Sequence, residues 1–182
     1  MLIRFAFAGL LVVTAACIVP APTKEGTKQG STLPPAAPLQ LNVGANLEDK
    51  VRIVSTVVNP GRLSPGEQAR VLVNFEVLDE VGSDYLVFVH IEDVDGRMER
   101  LNADHQPAGG ARPTSTWKKG EIIRDEFLVY LPPNVPVRGI NVLLGLWEAR
   151  TDHRMVLKNV DEVRHDNNNR ILVAQIPVVA AE

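Results

Sequence analysis

Few side chains in this sequence could do chemistry, and they fall into two loose groups. His90, Asp104 and His105 form the first, since two imidazoles and a carboxylate could hold a divalent metal if the loop after Gly96 folded back. His90, however, is in phase with Leu86 and Phe88 on an apolar run. A histidine there usually serves as a satisfied core or edge residue, so no metal is expected. The second group is a carboxylate pair, Asp104 and Asp125, because two carboxylates about 5 to 9.5 Å apart suffice for glycoside hydrolysis. That chemistry needs both in one open cleft. Asp125 instead shares its phase with Ile123, Phe127 and Val129, which points it into a core where it must find donors. We expect a structural role for it, tying down the loop from Arg112 to Lys119 through backbone amides. Trp117 and Trp147 complete the candidate ligand-binding residues, together with His90, Asp104 and His105. A tryptophan face can stack on a sugar ring, although Trp117, beside Pro113 and Thr114, suits a plug at the end of a domain as well. The run Asp166-Asn167-Asn168-Asn169 is explained by a turn alone.

Several signatures are absent: a phosphate-cradling glycine loop, a nucleophile elbow, a two-histidine helical zinc motif and a calcium-loop spacing of acids. No catalytic residue and no cofactor is assigned, and an enzyme is not expected. The net charge of -3, with Lys and Arg scattered, offers no basic face for a nucleic acid. The single cysteine, Cys17, excludes an intramolecular disulfide.

The elements that must position these residues are strands. Val51, Ile53, Ser55 and Val57 are expected on one face, up to the break at Asn59-Pro60-Gly61. Val71, Val73, Phe75 and Val77 share one face, against Asn74 and Glu76 on the other, and Ile123, Phe127, Val129 and Leu131 likewise share a face. Tyr85 to Ile91 and Ile140 to Trp147 are apolar on both faces, which places them centrally in a sheet. A last strand spans Ile171 to Val179, and Arg154 to Leu157 adds a short one. The sum is an all-β chain of seven to nine strands, an antiparallel immunoglobulin-like or carbohydrate-module-like β-sandwich over 49–182. Before it, 18–48 is rich in Pro and Gly and reads as a disordered linker, with a reach on the order of 30 Å. Within that stretch Leu39-Gln40-Leu41-Asn42-Val43 alternates, so a first edge strand there is an equal expectation.

At the front, Arg4 precedes an apolar run from Phe5 to Val13 and small residues at Thr14, Ala15 and Ala16. That order is a secretory signal, too short for a permanent span. Val13-Thr14-Ala15-Ala16-Cys17 resembles the lipobox of bacterial lipoproteins, with Thr14 where leucine is usual. The resemblance implies 1–17 as a lipoprotein signal and lipobox cysteine, a palmitate-type lipid on Cys17 and membrane attachment; Ile18, not aspartate, implies the outer membrane over the inner. Further on, Asp84-Tyr85-Leu86-Val87-Phe88-Val89-His90, Asp104-His105-Gln106-Pro107, Trp117-Lys118-Lys119-Gly120-Glu121 and Gly145-Leu146-Trp147 follow in a distinctive order. The string resembles a β-sandwich module appended to bacterial membrane glycosyltransferases, over residues 50–178. Trp147 stands where that module more often has tyrosine, and Arg138-Gly139-Ile140 replaces Gly-Tyr. The module implies no catalytic residues. Address and architecture together lead to a non-catalytic lipoprotein of the cell envelope that binds a polysaccharide or protein partner. The rivals are a structural subunit of a secretion or motility complex and a glycan hydrolase.

Overall fold

The structure, a computed structural model, describes residues 36–179. The signal, Cys17 and most of the expected linker lie outside them. Nine strands follow one another: β1 (Leu39–Leu47), β2 (Val51–Asn59), β3 (Gln68–Val77), β4 (Leu86–Asp93), β5 (Leu101–Asn102), β6 (Ile122–Tyr130), β7 (Gly139–Glu148), β8 (His153–Arg154) and β9 (Ile171–Pro177). Among the described residues the only helical turns are short 3-10 pieces at Pro107–Gly110 and Thr114–Thr116. The fold is an all-β antiparallel sandwich, as the alternation requires. One sheet has the order β1-β2-β3-β6, and the other the order β5-β4-β7 with β8 and β9 both on β7.

Period two decides which side chains meet between the sheets. Val71, Val73, Phe75 and Val77 of β3 and Ile123, Phe127 and Val129 of β6 project inward from the first sheet. They face Val87, Val89 and Ile91 of β4, and Ile140, Val142, Leu144 and Leu146 of β7. Burying each such side chain contributes roughly 1.5–3 kcal/mol before ordering entropy is subtracted. Trp117 closes one end of this core against Phe75, with ring centroids 5.7 Å apart.

Two expectations are corrected here. The linker boundary at 48 falls inside the fold, because Leu39–Leu47 pairs with β2 along its length and Leu39, Leu41 and Val43 pack on the core. On β2 the inward face passes from Val51 and Ile53 to Thr56 and Val58, leaving Ser55 and Val57 outside. The cause is a bulge: Ile53 pairs with Phe75 but Ser55 with Asn74, so Val54 is one residue too many for β3. The neighbouring strand carries a further surplus between Asn42 and Ala45, where Gly44 takes a φ of 73°. The strand ends at Asn59, and Gly61 follows because a Cβ there would lie 2.3 Å from the carbonyl oxygen of Ala37.

Candidate functional site

β4 and β7 are apolar on both faces because both faces are covered. Their outward residues pair across the sheet as Leu86 with Trp147, Phe88 with Gly145, His90 with Leu143 and Glu92 with Asn141. The chain between β8 and β9 folds over this ladder. Arg154 lies over the Phe88 ring, 4.6 Å from its centroid. Gly145 lets Phe88 lie across β7, since a Cβ there would stand 2.7 Å from the ring.

Arg170 is the centre of the cover, with only 14% of its side chain exposed. Its Nη1 bonds Glu92 and its Nε bonds Asp166 at 2.6 Å. Burial pulls its pKa down, but the two carboxylates outweigh that and hold it above the usual value. Asp166, in turn, accepts the backbone N–H groups of Asn168 and Arg170, which is the turn expected of that polar run. The same Nη1 lies 3.2 Å from Nδ1 of His90. A guanidinium only donates, so Nδ1 is the acceptor and the proton sits on Nε2. Burial first, then the cations Arg100 and Arg170, lower the pKa of His90, with Asp104 opposing. His90 is therefore a neutral imidazole at neutral pH.

Beside this network runs an open groove of about 400 Å³, lined by Asn141, Leu143, Val163, Arg164, His165 and Leu172. Leu143, Val163 and Leu172 give it an apolar strip beside the polar Asn141, Arg164 and His165. Gln175 fixes the Asn141 amide by donating to its Oδ1 at 3.0 Å, which turns Nδ2 away from that contact as a donor. A second cleft of about 340 Å³ separates β1 from β9 and shares Val163, Arg164 and Leu172 with the first. Arg164 thus stands on a ridge between two grooves. It is exposed and, among the described residues, its guanidinium has no polar partner.

The residues singled out in the sequence do not gather at this place. His90 and Trp147 share the outer face, where Trp147 Nε1 donates to Asp152 at 2.9 Å. Asp104 is spent on the backbone, accepting the Val89 N–H at 2.8 Å. His105 lies opposite Val87, on the inner side, and its ring packs on Phe127. The metal triad therefore does not form, as His90 and His105 project from opposite faces of one sheet. Among the described residues no cluster of His, Cys, Asp or Glu could hold a metal ion. Trp117 is corrected as a ligand-binding candidate: it is 1% exposed and its Nε1 donates to the Arg112 carbonyl. Asp125 points inward as its phase requires, but its partners differ from those expected. His105 Nε2 and the Ala108 N–H, each at 2.8 Å, hold it, and the loop after Arg112 does not. That second loop is tied by Thr114, which accepts the Tyr85 N–H and donates to the Ser83 carbonyl. With Asp125 fully buried, Asp104 and Asp125 share no open cleft.

The His105 and Asp125 contact has an electrostatic consequence. Burial lowers the imidazole pKa, yet the hydrogen bond and charge of Asp125 and the Ala103 carbonyl on Nδ1 prevail and raise it.

No family model matches this chain. No curated protein matches it either. Among solved structures it is similar to the crystal structure of the C-terminal domain of Wzt. The identity is 17%, over 83% of this chain and 84% of that one, with a TM-score of 0.43.

Asn141, Arg164, Arg170 and Gln175 were not anticipated from the sequence. The two-sided apolar strand at β7 was the available signal, since a sheet face of that kind requires a cover. What covers it depends on a contact between residues 80 positions apart.

Proposed function

We propose that this is a non-catalytic binding module that is exported and held at the outer membrane by a lipid on Cys17, and that it binds an envelope polysaccharide along the outer face of its second sheet. The observation that carries the proposal is Arg164. Among the described residues it is an unpaired, exposed guanidinium between two open grooves that mix apolar and polar side chains, flanked by Glu162, His165 and the Asn141–Gln175 amides. Planar donors and acceptors around an apolar strip suit a sugar chain, whose rings present C–H faces between hydroxyls. Open ends suit a polymer better than a small closed ligand. Asp125 is committed to the fold and Asp104 to a backbone amide, which fits binding without hydrolysis.

The test is titration calorimetry of the full chain in detergent against polysaccharide purified from the native envelope. Arg164→Ala and Asn141→Ala should each weaken binding about tenfold or more, the effect of losing about 1.4 kcal/mol. Their melting temperatures should stay near that of the unaltered chain. Unchanged affinity in both variants would sink the assignment of the groove. The lipid is tested separately, as Cys17→Ala should abolish labelling by a palmitate analogue. Label that survives would remove the anchor.

A further inference from the structure

Five large apolar side chains are exposed among the described residues, and Ile122, Leu128 and Tyr130, each at least half exposed, all belong to β6. Among the described residues β6 is an end strand, paired with β3 alone. Bonds from Leu131 N–H to the Glu67 carbonyl and from Val77 N–H to the Glu121 carbonyl fix which residues of β6 bond to β3. They are the odd-numbered ones. The N–H and C=O groups of Ile122, Arg124, Glu126, Leu128 and Tyr130 consequently face away from the sheet. Among the described residues none of them has a backbone partner on that side. Such a row is a template for another strand, and proteins normally blunt it with like charges, proline or a cover. Here the two charges on the row, Arg124 and Glu126, have opposite signs.

We propose that β6 is a self-association edge, at which a second copy of this chain pairs antiparallel, β6 to β6, about a two-fold axis beside Asp125. In that register Arg124 of one copy stands opposite Glu126 of the other, and Ile122 opposite Leu128, each pair occurring twice by symmetry. Opposite charges and apolar pairs directly across an antiparallel ladder stabilise it, whereas like charges oppose it. Moving the axis by one residue either way keeps the hydrogen-bonding rows matched but sets Glu126 against Glu126, or Arg124 against Arg124. Charge thus selects one register out of three. That self-complementarity is what a second copy needs and what an unrelated partner would have no use for. The existing contact of Glu126 with Arg70, 3.4 Å apart and well exposed on both sides, is of the kind that contributes little and is easily exchanged.

Sedimentation velocity of the full chain in detergent tests this. The unaltered chain should sediment as a dimer, Arg124→Glu and Glu126→Arg should each weaken the dimer at least tenfold, and the double variant should recover it. Circular dichroism of each variant verifies folding. Independently, Ile122→Cys and Leu128→Cys in one chain place two thiols at opposite ends of a strand, where they cannot meet each other. They should form an interchain disulfide that neither single cysteine forms. A chain that stays monomeric at every concentration, single variants that dimerise as before, or a folded double variant that fails to recover would each overturn the proposal. So would a monomer that captures a different envelope protein through β6.

Discussion

Replacing Asp125 by alanine removes the acceptor of two buried hydrogen bonds, one of them charge-assisted, and the size of the effect should depend on pH. The Ala108 N–H would be left without a partner, which costs about 1–3 kcal/mol. At pH 6 the imidazole of His105 is protonated in the folded chain and would lose its counter-charge. Breaking a buried pair by removing one member costs about 3–5 kcal/mol in total. A raised imidazole pKa means that folding takes up a proton between the unfolded and the folded values. Its stabilising contribution is complete below the unfolded value, about 6.5, and disappears as pH climbs through the folded one. The unaltered chain should lose some stability over that climb, while Asp125→Ala should lose none. The deficit of the variant should therefore shrink from about 3–5 kcal/mol at pH 6 toward the about 1–3 kcal/mol of the amide alone at pH 8.5. At about 2–4 °C per kcal/mol, the melting temperature should fall by roughly 6–20 °C at the lower pH. Thermal unfolding followed by circular dichroism at both pH values checks this, with the exposed Gln68→Ala on β3 as the control. A deficit no larger than that of Gln68→Ala, or one equal at the two pH values, would refute the reasoning.

Two further substitutions probe the core and the covered face. Trp117→Ala should cost about 3–5 kcal/mol in urea unfolding, as expected for a fully buried indole, whereas Trp147→Phe on the outer face should change stability by less than about 1 kcal/mol. Gly145→Ala would drive a methyl to within 2.7 Å of the Phe88 ring and 3.0 Å of the Asn169 carbonyl, so it should cost about 1–3 kcal/mol. Trimming the ring with Phe88→Leu should recover part of that loss, and a melting temperature unmoved by Gly145→Ala would show that the cover does not press on β7.

The parts of this fold that follow from local pattern were legible, and those that depend on distant pairing were not. β3 and β6 could be placed because each keeps an unbroken inward row, from Val71 to Val77 and from Ile123 to Val129. The same phase located Asp125 in the interior. Its partners were misjudged because the segments containing His105 and Trp117 both return toward that end of the sandwich, and period two says nothing about which arrives at β6. β2 misled for a different reason, since an inserted Val54 shifts the phase halfway along without altering composition. β1 was open to two readings, linker from the Pro and Gly around it or edge strand from its alternation, and the edge strand forms, with Gln40, Asn42 and Asn46 on its wet face. The Arg170 network left no local trace beyond Asp166 four residues earlier. Fold class was therefore within reach of the sequence, and the groove was not.

The bulges on β1 and β2 make the first sheet resemble the lanes of a running track. Between the same two levels β3 advances from Asn74 to Phe75, β2 from Ile53 to Ser55, and β1 from Asn42 to Ala45, so each lane outward is one residue longer. A surplus of one on β2 is half a pleat and shifts its inward residues from odd to even numbers, whereas a surplus of two on β1, relative to β3, is a whole pleat and leaves its inner and outer residues where plain alternation would put them. Length changes at this bend are consequently not interchangeable. Deleting Val54 alone would straighten β2 against β3 and restore plain alternation, because Val54 and Ser55 are consecutive outward residues and Ile53, Thr56 and Val58 would stay opposite Phe75, Val73 and Val71. Deleting one residue from β1 would instead turn one half of that strand over. Dropping two residues from β1, such as Val43 and Gly44, would keep every side chain on its own face and shorten only the lane. Homologous sheets should therefore vary in length at β1 by pairs, and at β2 by the single residue that the bulge adds.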